Sequence, residues 1–246
     1  MSPSSAEPQP PGAQSVLSTA VRILTFRATR EELQRLDHRH LVFGLVCTWI
    51  VGIGRYYDNE RVGLMQHLGI GSIIYVLILS LFLWLLIWPL APKNWSFLRV
   101  AAFVSLVSPP AILYAIPVEQ LYSVEVADTW NALFLAVVSV WRVALLTFLL
   151  RRLGQLPWPK VVVATLLPLC LIVVTLAALN LERVVLEIMG GFKEQTASDA
   201  SYFFIVGLSY LAIFMLAPLL LGYIVLVVQS VSDRRRPGHW PEWMDE

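Results

Sequence analysis

The chain has 246 residues, of which 57% are hydrophobic and 14% charged, with a mean hydropathy of +0.69. Soluble domains carry about 45–50% apolar and about 25% charged residues; here the apolar excess is gathered into runs, so the bilayer is the solvent for most of the chain. A net charge of +1 argues against a nucleic-acid partner, and the two cysteines, Cys47 and Cys170, sit inside apolar runs with no disulfide framework or CxxC metal motif.

Residues 1–15, MSPSSAEPQPPGAQS, are rich in Pro and Ser and lack an apolar core, so they read as a disordered tail and not as a cleavable signal. The first membrane segment is then expected to serve as its own insertion signal. Residues 16–40 form an interfacial region. Val16, Leu17, Ala20, Val21 and Leu24 recur at helical spacing with Arg22 and Arg27 beside them. That pattern suits an amphipathic helix lying on a membrane face, or one packed on the protein's own cytoplasmic loops. Thr29 followed by Glu32 is a capping box, which starts a second short helix.

The apolar run Leu41–Gly54 follows Asp37-His38-Arg39-His40 and is only 14 residues long. A transmembrane helix needs about 20 residues, so this run crosses only if His40 and Arg55 reach outward; a re-entrant or tilted buried segment competes with that reading. Gly44, Gly52 and Gly54 would let neighbouring helices approach closely. Further spans are expected at 71–90, 98–118, 129–150, 161–181 and 203–230, and a polar cytoplasmic tail at 231–246.

The expected fold is therefore all-α, a polytopic integral membrane bundle of six transmembrane helices, the first at about 41–57, with N- and C-termini cytoplasmic. Lys and Arg set this orientation. They fill the N-terminal region (Arg22, Arg27, Arg30, Arg35, Arg39), the turn of Arg151, Arg152 and Lys160, and Arg234–Arg236, whereas 119–128 holds Glu119, Glu125 and Asp128 with no base. Five spans would leave the N-terminal arginines outside, against the positive-inside rule.

Two spans break the rules of a plain membrane helix. The third carries Pro109-Pro110 and the fourth carries Arg142. A proline pair removes backbone donors and frees the carbonyls one turn earlier, here Ser105 and Leu106, while Ser105 and Ser108 add hydroxyls. Antiparallel spans would bring these groups to the depth of Arg142, and Asn131, three turns before Arg142, would share its face. Ser105, Ser108, Pro109, Pro110, Asn131 and Arg142 are thus a candidate intramembrane anion site, against the simpler readings in which Arg142 snorkels to headgroups or ties down a carbonyl cluster. No Asp or Glu stands mid-span, which argues against a proton-coupled pump.

Two rim clusters flank the first span. His38 and His40, with Asp37, read as a charged collar in preference to an incomplete metal site. Arg55 and Asp58, beside Tyr56 and Tyr57, read as interfacial anchors and loop ion pairs. A third polar cluster, Asn180, Glu182, Arg183 and Glu187, reads as a helix-surface pair. No GxSxG, HExxH, SxxK or glycine-rich phosphate loop is present, so the chain is not expected to be an enzyme, and no catalytic residue, metal or cofactor is expected.

The approach VRILTFRATREELQRLDHRH and the proline-broken SLVSPPAILYAIP, with this layout of tail and spans, resemble the Yip1-type family of small polytopic membrane proteins, its bacterial members in particular. The resemblance implies residence in a bacterial inner or plasma membrane and a binding or membrane-organising role; the family's usual five spans differ from the six counted here. The expected function is a non-enzymatic scaffold or adaptor. Its partners would be membrane lipids and a protein at the cytoplasmic face, with Trp240 and Trp243 of the tail read by that protein or folded back on the bilayer. A lipid or small-anion transporter or flippase working through Arg142 is the alternative, with a membrane enzyme behind it.

Overall fold

The computed structural model describes residues 15–56, 64, 68–116, 118, 122–179 and 199–235, and among these every regular element is helical. We label the α-helices α1 (Val16–Leu24), α2 (Arg30–Gln34), α3 (His38–Tyr56), α4 (Ile70–Ile87), α5 (Phe97–Leu106), α6 (Val124–Arg152), α7 (Trp158–Ala178) and α8 (Asp199–Arg235). Two 3-10 segments join them, Trp88–Leu90 and Pro109–Ala115. Stretches within α4 to α8, namely Ile70–Leu90, Ala132–Arg152, Trp158–Ala178 and Val206–Asp233, are long and apolar enough to cross a membrane; His38–Gly54 and Phe97–Leu113 are shorter apolar helices.

Local chemistry sets the helix starts. Ser15 and Ser96 cap α1 and α5 through their hydroxyls. The capping box of α2 is complete: the Glu32 amide donates to Thr29 Oγ1 at 3.3 Å, and the Thr29 amide donates to Glu32 Oε2 at 2.7 Å. Each half satisfies an orphan donor of the first turn. At the start of α3, Asp37 Oδ1 accepts from the amides of Arg39 and His40 at 2.9 and 3.2 Å.

The third expected span, 98–118, is not one helix. α5 stops at Leu106, and the chain turns through Val107 and Ser108 into the 3-10 segment that Pro109 and Pro110 open. Two adjacent residues without N–H groups cannot extend an α-helical ladder, but they fit the first positions of a new turn. Pro168 and Pro218, by contrast, stay inside α7 and α8. The last helix also runs five residues past 230, through Arg235, so the expected tail begins as helix. At 37 residues α8 is about 55 Å long, nearly twice the hydrocarbon thickness.

α3 and α5 pack closely because Gly44 has no side chain. A Cβ there would run into the Ser105 side chain and lie 2.8 Å from the Ser105 carbonyl carbon. Thr48 Oγ1, one turn on from Gly44, donates to the Gly44 carbonyl at 2.8 Å and reaches the Ser105 carbonyl at 3.5 Å. Around this contact the core divides in two. One cluster joins Ala20, Ile23 and Leu33 to Phe103, Leu106, Leu145 and Leu149; the other joins Val76, Leu83 and Ile87 to Val100, Leu150 and Val161.

Candidate functional site

Among the described residues, several charged side chains meet backbone carbonyls at one end of the helices. There the α4–α5 connection, the α6–α7 turn, the N-terminal segment and the C-terminal part of α8 meet. The Lys93 amide donates to the Gly154 carbonyl at 3.0 Å. Lys160 Nζ donates to the Leu90 carbonyl at 3.2 Å and to Ser230 Oγ at 2.7 Å. Arg151 donates to the Leu156 carbonyl at 2.8 Å and lies over the Trp158 ring, 4.8 Å from its centroid. Arg99 holds the carbonyls of Gln34 and Asn94, and Arg152 reaches that of Ala28 at 3.5 Å. These arginines neutralise helix-end and turn carbonyls that would otherwise lack partners.

The N-terminal segment is docked along α6. Trp141 Nε1 donates to the Leu24 carbonyl at 3.1 Å, 11 residues before the Arg152 that bonds Ala28. Residues 24–28, the turn that closes α1, are thus held from two points on α6 by long side chains. Phe26, at φ 61°, stacks on Trp141 with centroids 6.4 Å apart and meets Phe148 edge-on at 5.9 Å. A left-handed backbone is strained for so bulky a residue, and these ring contacts hold it. Arg22 Nε lies 3.1 Å from Glu32 Oε1, a carboxylate only 8% exposed, which ties α1 to α2. Of the two expectations for α1, packing on the protein holds for its Ala20 and Ile23 face, while Leu17 and Val21 stay exposed.

The candidate anion-site residues divide. Ser105 is fully buried; its hydroxyl donates to the Ala102 carbonyl at 2.9 Å and its carbonyl accepts from the Ser108 amide at 3.2 Å, so it serves the α3–α5 contact. Ser108 is buried, and Pro109 and Pro110 are half-buried in the 3-10 segment, which packs against α6. Asn131 lies on α6, 11 residues before Arg142. Arg142 is half-buried, and among the described residues it has no hydrogen-bond or ion-pair partner, so the structure does not join it to Ser105 or Ser108.

Of the rim residues, His40 turns back on Asp37, with Nδ1 2.7 Å from Oδ1, and His38 is exposed. Among the described residues no three His, Cys, Asp or Glu side chains gather as a metal site. Arg55 lies on α3 near its end, while Asp58 and the 180–187 cluster lie outside the described residues, as do Trp240 and Trp243. The hydrogen bond with His40 holds the Asp37 carboxyl below its ordinary value; burial opposes this, and the His40 and Arg39 amides reinforce it. A carboxyl depressed in the folded state stabilises above its unfolded pKa, and that contribution is lost as pH falls through the folded value. The thermal midpoints of the protein and of Asp37→Asn should accordingly differ at pH 7 and converge in acid below the carboxylate range. Parallel curves at all pH values would show that the Asp37 charge is idle.

Sequence alone did not reveal the Trp141–Leu24 and Arg99–Gln34 ties, because helical periodicity gives a side chain's face and not the distant carbonyl it meets. Among the described residues, four helices long and apolar enough to cross a bilayer, tied together at one end by basic side chains, define the class: an α-helical membrane protein. Comparison with family models, curated proteins and solved structures finds no match to this chain.

Proposed function

We propose that this chain is a six-crossing, multi-pass protein of a bacterial inner or plasma membrane with both termini in the cytoplasm. It acts there as a non-enzymatic scaffold that binds a protein partner at its basic face. The observation that carries the reading is the division of labour among the cations at that end. Arg99, Arg151, Arg152 and Lys160 are spent on internal carbonyls and a hydroxyl, which makes the end rigid, while Arg27, Arg35, Arg39 and Lys93 are exposed on it. A rigid base displaying free charge suits recruitment of an acidic partner. Cations gathered at one end support a cytoplasmic setting for it. Helix directions accord with six crossings, since α3 and α5 start there and α4, α6 and α8 finish there.

A photo-reactive amino acid placed at Arg35, and in a second protein at Tyr122 beyond the opposite end of α6, tests this in intact membranes. A discrete protein adduct at position 35 and none at 122 is the expected result. Lipid adducts alone at position 35 would replace the protein partner with the membrane itself. Labelling of a cysteine at Arg30 by a reagent confined to the exterior would overturn the orientation.

A further inference from the structure

We propose that Arg142 centres a phosphate-binding site inside the helix bundle, which takes the phosphodiester of a lipid headgroup or a free phosphate ion. The reasoning starts from depth. Arg142 is ten residues from either end of the apolar stretch Ala132–Arg152, which is about 15 Å and further than an arginine side chain extends. A cation in the middle of an apolar stretch needs an acceptor.

The direction of the side chain follows from α6 itself. Val138, Arg142, Leu145 and Leu149 fall at i, i+4, i+7 and i+11, one stripe of the helix, and Val138, Leu145 and Leu149 are at most 1% exposed. Leu133, Val137, Val140 and Ala144 form the opposite stripe, and all are exposed, Val140 by 70%. Arg142 thus belongs to the face that packs into the bundle.

Its neighbours do not supply the acceptor. The Leu24 carbonyl at this level is taken by Trp141, and Ser105 is taken by α3 and its own helix. Arg22, Arg99, Arg151 and Arg152 each meet a carboxylate or carbonyl, whereas among the described residues Arg142 meets none. An anion from outside the chain would supply the acceptor that the described residues do not. The planar guanidinium fork favours two oxygens of one tetrahedral group, and phosphate is the anion that a membrane supplies in quantity.

The test uses the full chain and two arms. In the first, the protein is washed exhaustively in a phosphorus-free detergent and the phospholipid that remains is quantified. In the second, the delipidated protein is dialysed against radiolabelled inorganic phosphate. Retention near one phosphate per chain is expected in one of the arms, and the arm that shows it identifies the source. Arg142→Gln should weaken that retention at least about tenfold, while Arg27→Gln leaves it intact. Absence of phosphate in both arms, or equal retention by Arg142→Gln, would overturn the site. Should Arg142→Gln not survive purification, Arg142→Lys decides, because it keeps the charge and loses the fork. Several-fold weaker retention supports the proposal, and unchanged retention refutes it.

Discussion

Gly44→Ala is expected to lower the thermal midpoint of the detergent-purified protein by roughly 4–12 °C, equivalent to about 2–3 kcal/mol. The new methyl group would occupy the position of the Ser105 side chain and press on the Ser105 carbonyl carbon at 2.8 Å, a backbone atom that cannot move without shifting α5. Gly71→Ala is the matched control. A Cβ at Gly71 meets nothing within 4 Å, and in the first turn of α4 alanine is a better helix former than glycine, so this variant should be as stable as the parent or slightly more so. One substitution type at two helical glycines thus yields opposite signs. Ser105→Gly combined with Gly44→Ala should recover part of the loss, because the side-chain clash goes and the backbone contact stays. Equal midpoints for the two alanine variants would mean that α3 and α5 do not approach at Gly44.

Trp141→Ala should release the N-terminal segment while leaving the bundle folded. The change removes the indole donor to Leu24 and the ring that stacks on Phe26; because Trp141 is 38% exposed, the cost falls below that of a core tryptophan, about 1–3 kcal/mol. Applied to a local docking equilibrium, that cost raises tryptic cleavage after Arg22, Arg27 and Arg30 by about tenfold or more. Trp141→Phe keeps an aromatic surface and loses one hydrogen bond, so it should raise cleavage by about tenfold or less. α7 and α8 should stay protected in both variants, since their ties, such as Tyr223 to the Leu86 carbonyl at 2.8 Å, do not involve Trp141. Unchanged cleavage in Trp141→Ala would show that Arg99, Arg152 and the Arg22–Glu32 contact suffice to hold the segment.

Both variants act through contacts between residues far apart in the chain, Gly44 with Ser105 and Leu24 with Trp141. The long apolar runs needed no such information. The stretch expected at 71–90 is α4 with its 3-10 extension, and the stretch expected at 161–181 is α7, displaced by three residues at each end. Such runs are readable because the bilayer demands an unbroken apolar block of bilayer length with its backbone bonded internally. The capping box at Thr29 and Glu32 was readable for a similar reason, since both its hydrogen bonds lie within one turn.

The candidate site was readable only in its residue types. Arg142 and the proline pair stand out because each violates the chemistry of its own span, whatever surrounds it. Their partners were another matter. Ser105 was expected to face Arg142, and it faces α3 instead, because the missing side chain at Gly44 admits the α5 backbone at that point and nowhere in the neighbouring sequence is that choice written. The proline pair, expected within a span, closes α5 at Leu106. By itself the sequence determined the class of solvent, the apolar helices and their caps, all of which depend on interactions within a few residues. Tertiary structure alone decided which helix Gly44 admits, that the N-terminal segment packs on α6, and that Arg142 has no acceptor among the described residues. Each of these depends on which surfaces meet across the bundle, and helical periodicity specifies a face without specifying its partner.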